Sequence, residues 1–408
     1  MTHGLLLLRL AWRNLWRRPH RTMIILLAVA LGIWSMLTIS ALIRGMSTQY
    51  VEQWINQLTG HVLIHAPGYR QDPVIDYRMP VADAELETAL NQQNIIGWTQ
   101  RLRIPAVINS ERESAGVTMV GIIPQQENGL SFIAQAVRQG RMLHDENDRG
   151  IVLGLHLAKQ LETRIGKRVV LMTQDSAGNV AERGFKVVGL YRSRLQDTEK
   201  QFAFVGLKVM QKLLKVEGQV SEISLRSDAL ELLPAILKQL QQLRPQLDIV
   251  DWKTSNPLLN AMISMLHGFL MIWFVVVFIA VAFGLINTLL MAIFERSREM
   301  GLLRALGMQP RLQVLQILLE SLFLLLLGAL LGNLLSGLTL LLTAGGLDFS
   351  RFAQGYEMIG LSSRIYPVLQ NEDWIMANLL VLGLGLLASF YPAWRASRMS
   401  VLKALGQG

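Results

Sequence analysis

The sequence predicts an α-helical membrane protein with four transmembrane helices and a large α+β extracytoplasmic domain between the first two of them. Composition is the first reason: 51% of the 408 residues are hydrophobic and only 17% are charged, which is too apolar for an ordinary soluble enzyme. The second is the presence of four apolar runs that are each long enough to cross a bilayer. The third is the long segment of mixed polarity that separates the first run from the second.

The four predicted spans are 22–44, 266–294, 313–343 and 373–394. Each holds about 20 mostly apolar residues, the length that crosses roughly 30 Å of hydrocarbon. The first span is interpreted as a retained anchor and not as a cleaved signal peptide, because its basic leader and apolar stretch are both too long and more spans follow. The other predicted segments are an interfacial entry helix (1–21), the α+β domain (45–265), a helical link (295–312), an outer loop (344–372) and a tail (395–408).

Arginine is concentrated on three short flanks of the spans, whereas the rest of the chain is close to neutral. The charged residues of these flanks are Arg9, Arg13, Arg17, Arg18, Arg21, Glu295, Arg296, Arg298, Glu299, Arg304, Arg311, Arg395, Arg398 and Lys403. Because basic flanks stay in the cytoplasm, both termini and the link are predicted to be cytoplasmic and the large domain periplasmic. The net charge of +9 thus reflects membrane topology, and nucleic acid is not an expected partner.

The segment LLLLRLAWRNLWRR, residues 5–18, has helical periodicity. One face is apolar and aromatic, and the other carries a stripe of arginines at every fourth position, so we expect a helix in the cytoplasmic interface in contact with membrane lipids. Pro19 is expected to end this helix before the first span. The apolar face is formed by Leu5, Leu8, Trp12, Leu15 and Trp16, and the stripe by Arg9, Arg13 and Arg17.

The extracytoplasmic segment alternates between strand-like and helix-like patterns. Strands are predicted in GHVLIHAPGY, IPAVINS, GVTMVGII, RGIVLG, VSEISLRS and LDIVDW, and a pair of strands in KRVVLMTQDSAGNVAERGFKVVGLYRS with its turn around Gly178. Helices are predicted at 81–92, after RGIVLG, at 207–214 and at 229–243. Runs of strands interrupted by single helices are typical of an α+β domain, here with two lobes.

The sequence contains no recognisable catalytic or metal-binding constellation. It has no G-x-x-x-x-G-K-[ST] loop, so we do not expect it to bind ATP by that mechanism. His61 and His65 share one face of a predicted strand but lack a third ligand nearby, and they are interpreted as surface histidines and not as a zinc site. Ser40 and Ser264 have no triad-like arrangement around them. We therefore expect a non-catalytic chain that binds no metal.

Two polar residues stand inside predicted spans. Glu320 lies in LQILLESLFLLLLGALLG, and Asn287 lies in the second span. An intramembrane carboxylate is costly unless it is paired or neutral, so Glu320 is a candidate functional residue. The alternative is a structural carboxylic acid that bonds to a neighbouring helix, and the same two interpretations hold for Asn287.

The link ERSREMGLLRALG, Glu295 to Gly307, has more chemistry than a simple turn requires. Glu295 and Glu299 are spaced to share one helix face, and nearby basic and apolar side chains could pair with and anchor a partner. The glycines allow close approach or a helix stop. The predicted docking residues are Glu295, Arg298, Glu299, Met300, Gly301, Leu303, Arg304 and Gly307, with Leu302 as a further apolar anchor.

These stretches resemble the FtsX-type permeases of ABC transporters, a family that includes FtsX, the MacB-type exporters and the LolC/LolE lipoprotein-release permeases. The link and third span carry the clearest likeness, and IVLGLHLAKQLETRIGKRVVLMT, FKVVGLY and SEISL resemble the family's periplasmic core. AWRNLWRRPHRTMI, with Arg13, Asn14 and Arg17, resembles the entry helix. YPAWRASRMSVLKAL, with Tyr391, Pro392 and Arg395, resembles the C-terminal signature, although Ser400 stands where proline is usual.

The resemblance implies a permease subunit in the bacterial inner membrane. In that family the link is a coupling helix that docks on a separate cytoplasmic ATPase, and two permeases, identical or paralogous, work with an ATPase dimer. ATP and magnesium would then be bound by the partner and not by this chain. ATP-driven motion would change the spacing of the periplasmic domains, whose partner would be a lipoprotein, a carrier or an adaptor.

Three functions remain open within this resemblance. GHVLIHAPGY and the overall length favour lipoprotein release, and the alternatives are MacB-like efflux of a periplasmic substrate and FtsX-like regulation of a cell-wall hydrolase. LolC-like permeases carry a protruding hook between two periplasmic strands that recruits a lipoprotein carrier. Here the corresponding link, 174–183, is short and lacks proline, which favours a LolE-like role or another partner.

Overall fold

The structure, a computed structural model, describes residues 2–193, 196–348 and 364–398, with side chains described from Leu7 onward. Two compact units are present: a helical unit, formed by the chain up to Thr48 and from Ile263 onward, and a domain formed by Gln49–Met262. Residues 399–408 of the predicted tail, 395–408, and residues 349–363 of the predicted outer loop, 344–372, lie outside the described residues.

Most helices follow the sequence pattern, but three short ones, Ile133–Ala136, Gln196–Gln201 and Trp252–Ser255, were not predicted. The helices are α1 (Thr2–Leu15), α2 (Pro19–Trp54), α3 (Ala84–Leu90), α4 (Ile133–Ala136), α5 (Leu155–Gln160), α6 (Gln196–Gln201), α7 (Leu207–Leu214), α8 (Leu233–Leu243), α9 (Trp252–Ser255), α10 (Pro257–Glu295), α11 (Ser297–Ala305), α12 (Pro310–Leu342), α13 (Asn371–Leu379) and α14 (Gly385–Ser397). Single π-helical turns, Ile55–Thr59 and Leu380–Leu384, follow α2 and α13, and a 3₁₀ turn, Leu230–Leu232, precedes α8.

Four helical segments are long and apolar enough to cross a membrane, within the described part of the chain. They are Pro19–Thr59, Pro257–Glu295, Pro310–Leu342 and Asn371–Ser397. Most of their ends lie beyond the predicted spans, because a helix continues past the hydrocarbon as long as its backbone hydrogen bonds are not interrupted. The link is shorter than predicted, since α11 covers only part of 295–312. Pro19 is the first residue of α2, where its missing N–H has no consequence.

Close contacts between small residues and β-branched side chains hold the helical unit together. A β-carbon added at Gly328 would lie 2.6 Å from Val29, and one at Gly332 would lie 2.8 Å from Ile33. Glycines at such points let helix backbones approach closely, which is how packing is gained where lipid is as apolar as leucine. The core around these contacts includes Met36, Leu37, Phe274, Leu285, Leu325 and Ala377.

The domain is built on one large mixed sheet. Its strands, and two short ones in the helical unit, are β1 (Val62–His65), β2 (Met79–Pro80), β3 (Ile95–Asn109), β4 (Ser114–Ile122), β5 (Val137–Gly140), β6 (Gly150–Gly154), β7 (Arg168–Gln174), β8 (Val180–Tyr191), β9 (Phe202–Gly206), β10 (Gln219–Val220), β11 (Glu222–Ser227), β12 (Asp248–Asp251), β13 (Leu347–Asp348) and β14 (Arg364–Ile365). The order is β12-β1-β11-β3-β4-β9-β6-β8-β5, and β7 pairs with both β3 and β8.

The sheet contains strands that the sequence patterns did not predict. β9 is buried along its whole length, so FAFVG shows no polar alternation. β5 is also an addition, and β3 begins at Ile95, well before IPAVINS. The short β2–β10 pair, which was not predicted either, is a separate two-stranded sheet. The pairs β4–β9 and β6–β8 are parallel, and the other pairs are antiparallel. Strands and single helices alternate as expected of an α+β domain.

Candidate functional site

The link between the second and third spans forms a short helix with a well-defined end. α11 stops at Gly307, whose φ of 95° is the left-handed conformation that glycine adopts without strain. The Gly307 amide donates to the Arg304 carbonyl at 3.0 Å, and the Met308 amide donates to the Leu303 carbonyl at 2.9 Å. These two bonds form a Schellman motif, so Gly307 acts as the predicted helix stop.

α11 presents an exposed apolar face within this chain. Leu302 and Leu306 are 55% and 76% exposed, and Leu303 is also exposed. Leu7 and Leu10 of α1 line the same open cavity of 590 Å³, together with Leu302, Leu303, Leu306 and Met308. Leucines that are this exposed on a short helix between two candidate spans are typical of a protein-binding surface.

The other face of α11 is turned into the helical unit. Met300 packs against a small core that contains Ile293, Ile317, Ala393 and Ala396. Gly301 is buried, and the Gln313 amide donates to the Met300 carbonyl at 2.9 Å. Arg298 is exposed and Arg304 is half-buried. The link is therefore a rigid element and not a loose turn.

Glu295 and Glu299 pair with arginines of the entry segment. Arg17 binds Glu299 at 2.9 Å, Arg21 binds Glu295 at 2.9 Å, and Arg18 also contacts Glu295. The two glutamates that were predicted to dock on a partner therefore form ion pairs within their own chain. The sequence pattern did not reveal this, because it does not show that the entry segment lies beside the link. Arg17 correspondingly faces the link and not only lipid.

The entry helix has a packed face in addition to the predicted lipid-facing one. Leu7, Ala11 and Leu15 are buried, whereas Leu8, Trp12 and Trp16 are exposed in this chain. Trp12 contacts the Phe323 ring edge-on at 5.6 Å, and Arg9 and Arg13 are exposed. The exposed aromatic face fits the predicted contact with lipid, but Leu15 belongs to the packed side.

Glu320 is hydrogen-bonded to the entry helix. Its Oε1 accepts from Asn14 Nδ2 at 2.6 Å, and Arg296 Nη1 lies 3.4 Å from both carboxylate oxygens. Gln316 adds a contact one turn away at 3.4 Å. This geometry corresponds to the structural interpretation of Glu320. By contrast, Asn287 lies on the exposed side of α10.

A cavity of 340 Å³ is lined on one side by the charged residues of these ion pairs and on the other by apolar side chains. Its polar wall contains Asn14, Arg17, Arg18, Arg21, Glu295, Arg296, Glu299 and Glu320, and its apolar wall contains Ile25, Leu289 and Leu324. The arginines pair with the three glutamates, so the charges largely cancel one another. The cavity is thus the centre of a network that joins the entry segment, the end of α10, α11 and α12.

The C-terminal signature residues lie in α14. Pro392 is buried within the helix, and the Tyr391 hydroxyl accepts from Arg395 at 3.2 Å. The Arg395 guanidinium lies 5.9 Å from the Phe294 ring centroid, within the range of a cation–π contact. These contacts connect α14 to the end of α10.

A second ion pair in the helical unit was not predicted from the sequence. Arg44 binds both carboxylate oxygens of buried Asp373, at 2.8 and 2.9 Å, and the Ser40 hydroxyl donates to the same carboxylate. Arg44 also lies 3.3 Å from His267 Nε2. A signal was available, since Arg44 and Asp373 are the terminal residues of two predicted spans.

The external domain contains a fully buried arginine that sequence analysis missed. Arg101 donates to both oxygens of Glu127 at 2.7 Å and to Glu222 at 3.2 Å. Burial alone would lower the pKa of Arg101, but the two carboxylates outweigh it and raise the pKa. Burial likewise opposes the ionised form of Glu222, but Arg103, His65 and Arg101 hold its pKa well below the usual range.

Arg101 also holds a strained turn. It donates to the carbonyl of Leu58, a buried leucine with φ of 105° in the π-helical turn after α2. A non-glycine residue in this region costs about 1–3 kcal/mol and persists only where its surroundings impose it. The Arg101 guanidinium thus attaches the turn that follows α2 to the sheet.

His61 and His65 are buried and not at the surface, contrary to the prediction. The Ser227 amide donates to His61 Nδ1 at 2.9 Å, and His65 stacks on Tyr69 at 5.1 Å. Burial, and then the charge of Arg226, lower the pKa of His61 to about 4. The described residues contain no cluster of His, Cys, Asp or Glu that could hold a metal ion.

The link between β7 and β8 is a tight turn. Asp175 accepts from the amides of Ala177 and Asn179 at 2.9 Å and binds Lys215 at 2.7 Å. Gly178 has φ of 79°. A short turn of this kind has no projecting arm.

Two family models cover most of the chain. The MacB-like periplasmic core domain matches residues 22–243, and the FtsX-like permease C-terminal region matches residues 261–401. The second match begins close to Ile263, where the chain re-enters the helical unit, whereas the first match also includes the first span, which belongs to that unit.

Curated relatives are similar over nearly the whole chain. The lipoprotein-releasing system transmembrane protein LolC of Xylella fastidiosa is 23% identical over 93% of this chain and 92% of its own length. LolE of Haemophilus influenzae is 24% identical over 97% of this chain and 98% of its own length. The macrolide export ATP-binding/permease protein MacB 2 of Yersinia pestis is 24% identical over 94% of this chain but only 55% of its own length.

Proposed function

Because the chain belongs to the FtsX-like permeases with a MacB-like periplasmic core domain, we propose that it couples a cytoplasmic ATPase to work in the periplasm. In this proposal a separate ATPase dimer binds ATP and magnesium. This chain pairs with a second copy or a paralogous permease in the bacterial inner membrane, with both termini in the cytoplasm. The four candidate spans and the basic flanks support this arrangement.

The exposed leucine face of α11 is the observation that carries the proposal. Leu302, Leu303 and Leu306 lie on a helix that is capped by Gly307 and held by ion pairs to the entry segment. A rigid, apolar, helical projection suits a groove on a partner, and apolar anchors contribute more binding energy than exposed charges. The ATPase therefore grips the leucines, while Glu295 and Glu299 keep the helix attached to the rest of the unit.

Motion of the ATPase would reach the external domain along α2, because this helix continues from the first span into the domain. Its following turn, Ile55–Thr59, is fixed to the sheet through the Leu58 carbonyl and Arg101. A buried, bidentate guanidinium resists displacement better than an exposed pair, because breaking it leaves unpaired charges in a low-dielectric interior. Force on the helix is thereby transferred to the sheet and not dissipated in a flexible linker.

Release of lipoproteins from the inner membrane is the proposed periplasmic work. The relatives that support it are LolC and LolE, which this chain matches over almost their whole length. The tight turn at Asp175 supports a LolE-like role, or a different partner, over carrier capture by a LolC-like hook. MacB-like efflux is the second candidate, but the match to MacB 2 covers 55% of that protein.

Copurification with the proposed partner ATPase tests the coupling step. We expect Leu302→Ser with Leu306→Ser to remove most of the bound ATPase and the substrate-stimulated hydrolysis, because two exposed anchors are lost while the helix remains capped. The matched control is Leu230→Ser, an exposed leucine of the external domain. Equal ATPase retention in all three proteins would refute α11 as the coupling helix.

Reconstitution distinguishes the periplasmic tasks. The full complex in proteoliposomes should release a triacylated lipoprotein into solution when ATP and an acceptor are added. A complex that hydrolyses ATP and retains the lipoprotein, but responds to a soluble periplasmic substrate, would favour efflux. Activation of a cell-wall hydrolase instead would favour the FtsX-like alternative.

A further inference from the structure

The external domain has a polar pocket that the proposed coupling does not use. The pocket has a volume of 490 Å³, and Arg138, Arg192 and Arg226 project from three different elements to line it. Arg138 belongs to β5, Arg192 follows β8, and Arg226 belongs to β11. Three guanidinium groups that converge on one cavity form an unusual concentration of positive charge.

This positive charge is largely uncompensated. Arg226 is paired with Glu52 at 3.3 Å, whereas Arg138 and Arg192 form no ion pair with a described residue. None of the described residues that line the pocket is acidic. Two buried carboxylates contact residues of the pocket. Glu127 accepts from the Ser131 hydroxyl and is paired with Arg101. Glu199 accepts from the Ser193 amide at 2.7 Å and contacts the His156 ring. The pocket therefore has a net positive potential.

The pocket also offers neutral hydrogen-bond donors. Gln53, Asn56, Gln57 and Gln135 line it, and the buried Gln53 Nε2 has no hydrogen-bond partner among the described residues. A buried donor without a partner is unfavourable, so a ligand oxygen that accepts from it would remove this penalty. The Asn56 carbonyl oxygen of the side chain accepts from Arg226 at 2.8 Å, which directs the amide group.

Guanidinium forks and amide donors together match the oxygens of a phosphate group. Gln53, Asn56 and Gln57 stand 9 to 13 residues after the end of the first predicted span, and Phe132 and Ala136 give the pocket an apolar side. We propose that this pocket binds a phosphate group, carried by a phospholipid headgroup or present as free phosphate. This binding does not depend on the proposed coupling of ATP hydrolysis to work in the periplasm.

Binding of a short-chain lipid to the purified full chain tests the site. The probe is dihexanoyl-phosphatidylglycerol, below its micelle-forming concentration, added to the chain in an uncharged detergent and followed by microscale thermophoresis. We expect saturable binding that weakens as NaCl is raised from 50 to 500 mM, because exposed charges are screened over shorter distances at high salt. Dihexanoylglycerol, which lacks phosphate, should bind at least tenfold more weakly.

Paired variants locate the binding. Arg138→Gln with Arg192→Gln should weaken binding at least tenfold, equivalent to about 1.4 kcal/mol. Gln53→Leu, which changes no charge, should weaken it several-fold. Arg164→Gln with Arg168→Gln is the matched control, since it removes two exposed arginines elsewhere on the same domain and should leave affinity unchanged.

Competition identifies the source of the phosphate. If inorganic phosphate at millimolar concentration displaces the lipid, the site recognises phosphate alone; if it does not, the headgroup and its glycerol are required. The proposal is overturned if the lipid does not bind. It is also overturned if dihexanoylglycerol binds equally well, or if the Arg138 and Arg192 double variant binds as tightly as its control.

Discussion

In the link, Arg17 and Glu299 meet at 2.9 Å with 58% and 55% of their side chains exposed, whereas Arg101 and Glu127 in the external domain meet at 2.7 Å with neither exposed. The distances are alike, but the surroundings are not. An exposed pair is screened by water and contributes about 0–1 kcal/mol, whereas breaking a buried pair costs about 3–5 kcal/mol. In the proposed mechanism, the exposed Arg17–Glu299 pair can break and re-form at little cost when α11 moves, whereas the buried Arg101–Glu127 pair stays intact.

This contrast suits a protein that transmits movement. In the proposed mechanism, the region that rearranges against the ATPase, α11, is held by exposed ion pairs that cost little to break. The turn that must not slip, Ile55–Thr59, is held by a contact that is costly to break. Four predictions test whether burial, and not the number of ion pairs, determines how strongly each contact stabilises the protein.

The largest effect is expected for Arg101→Met. The change leaves Glu127 and Glu222 buried without their shared cation, so the free energy of unfolding should fall by about 3–5 kcal/mol. For a domain of this size each kcal/mol lowers Tm by about 2–4 °C. Thermal unfolding of the full chain in detergent, followed by tryptophan fluorescence, measures the shift. Arg112→Met, which removes the exposed pair with Glu162 at 2.7 Å, is the control and should change little.

The second effect concerns pH. His61 has a pKa of about 4 in the folded protein and an ordinary pKa of 6.5 in the unfolded chain. As the pH falls, the unfolded chain therefore takes up a proton on His61 before the folded protein does. The stability of the external domain is therefore complete above pH 6.5 and should fall by up to about 3 kcal/mol as pH drops towards 4. His61→Asn keeps an acceptor for the Ser227 amide but does not titrate, so its stability curve should be flatter over this range. Parallel curves for the two proteins would contradict the assignment.

Asp373→Asn should have an intermediate effect. Asparagine keeps one acceptor for Arg44 but removes the charge, which should destabilise the helical unit by about 1–3 kcal/mol. The control is Glu372→Gln, its exposed neighbour on α13. Resistance of the full chain to unfolding by increasing SDS measures the difference. If both variants unfold at the same SDS concentration, the Arg44 pair does not stabilise the helices.

The smallest effect is expected for Glu299→Gln. The Arg17 pair is exposed, so the free energy of unfolding should change by less than about 1 kcal/mol. The same SDS titration applies, with Glu320→Gln as the comparison, because Glu320 is mostly buried and accepts from Asn14 at 2.6 Å. We expect the Glu320 variant to be the less stable of the two. The reverse order would show that the link is held mainly by its surface charges.

The sequence alone determined the membrane architecture. Apolar runs and arginine placement depend on composition over many residues, so the four spans and the separate external domain were predictable. Local signals worked equally well: α7 occupies the predicted 207–214, and Gly307 ends α11 as expected. These features depend on neighbours in the chain, which a sequence displays directly.

Only the tertiary structure decided which charges meet. Glu299 was predicted to face a partner, yet it binds Arg17, 282 positions away in the chain. Arg101 occupies a strand and carries no pattern that distinguishes it from an exposed arginine, but folding encloses it between Glu127 and Glu222. The same holds for the buried histidines and for the convergence of Arg138, Arg192 and Arg226. Coulomb interactions depend on distance and burial, and folding sets both by bringing distant segments together.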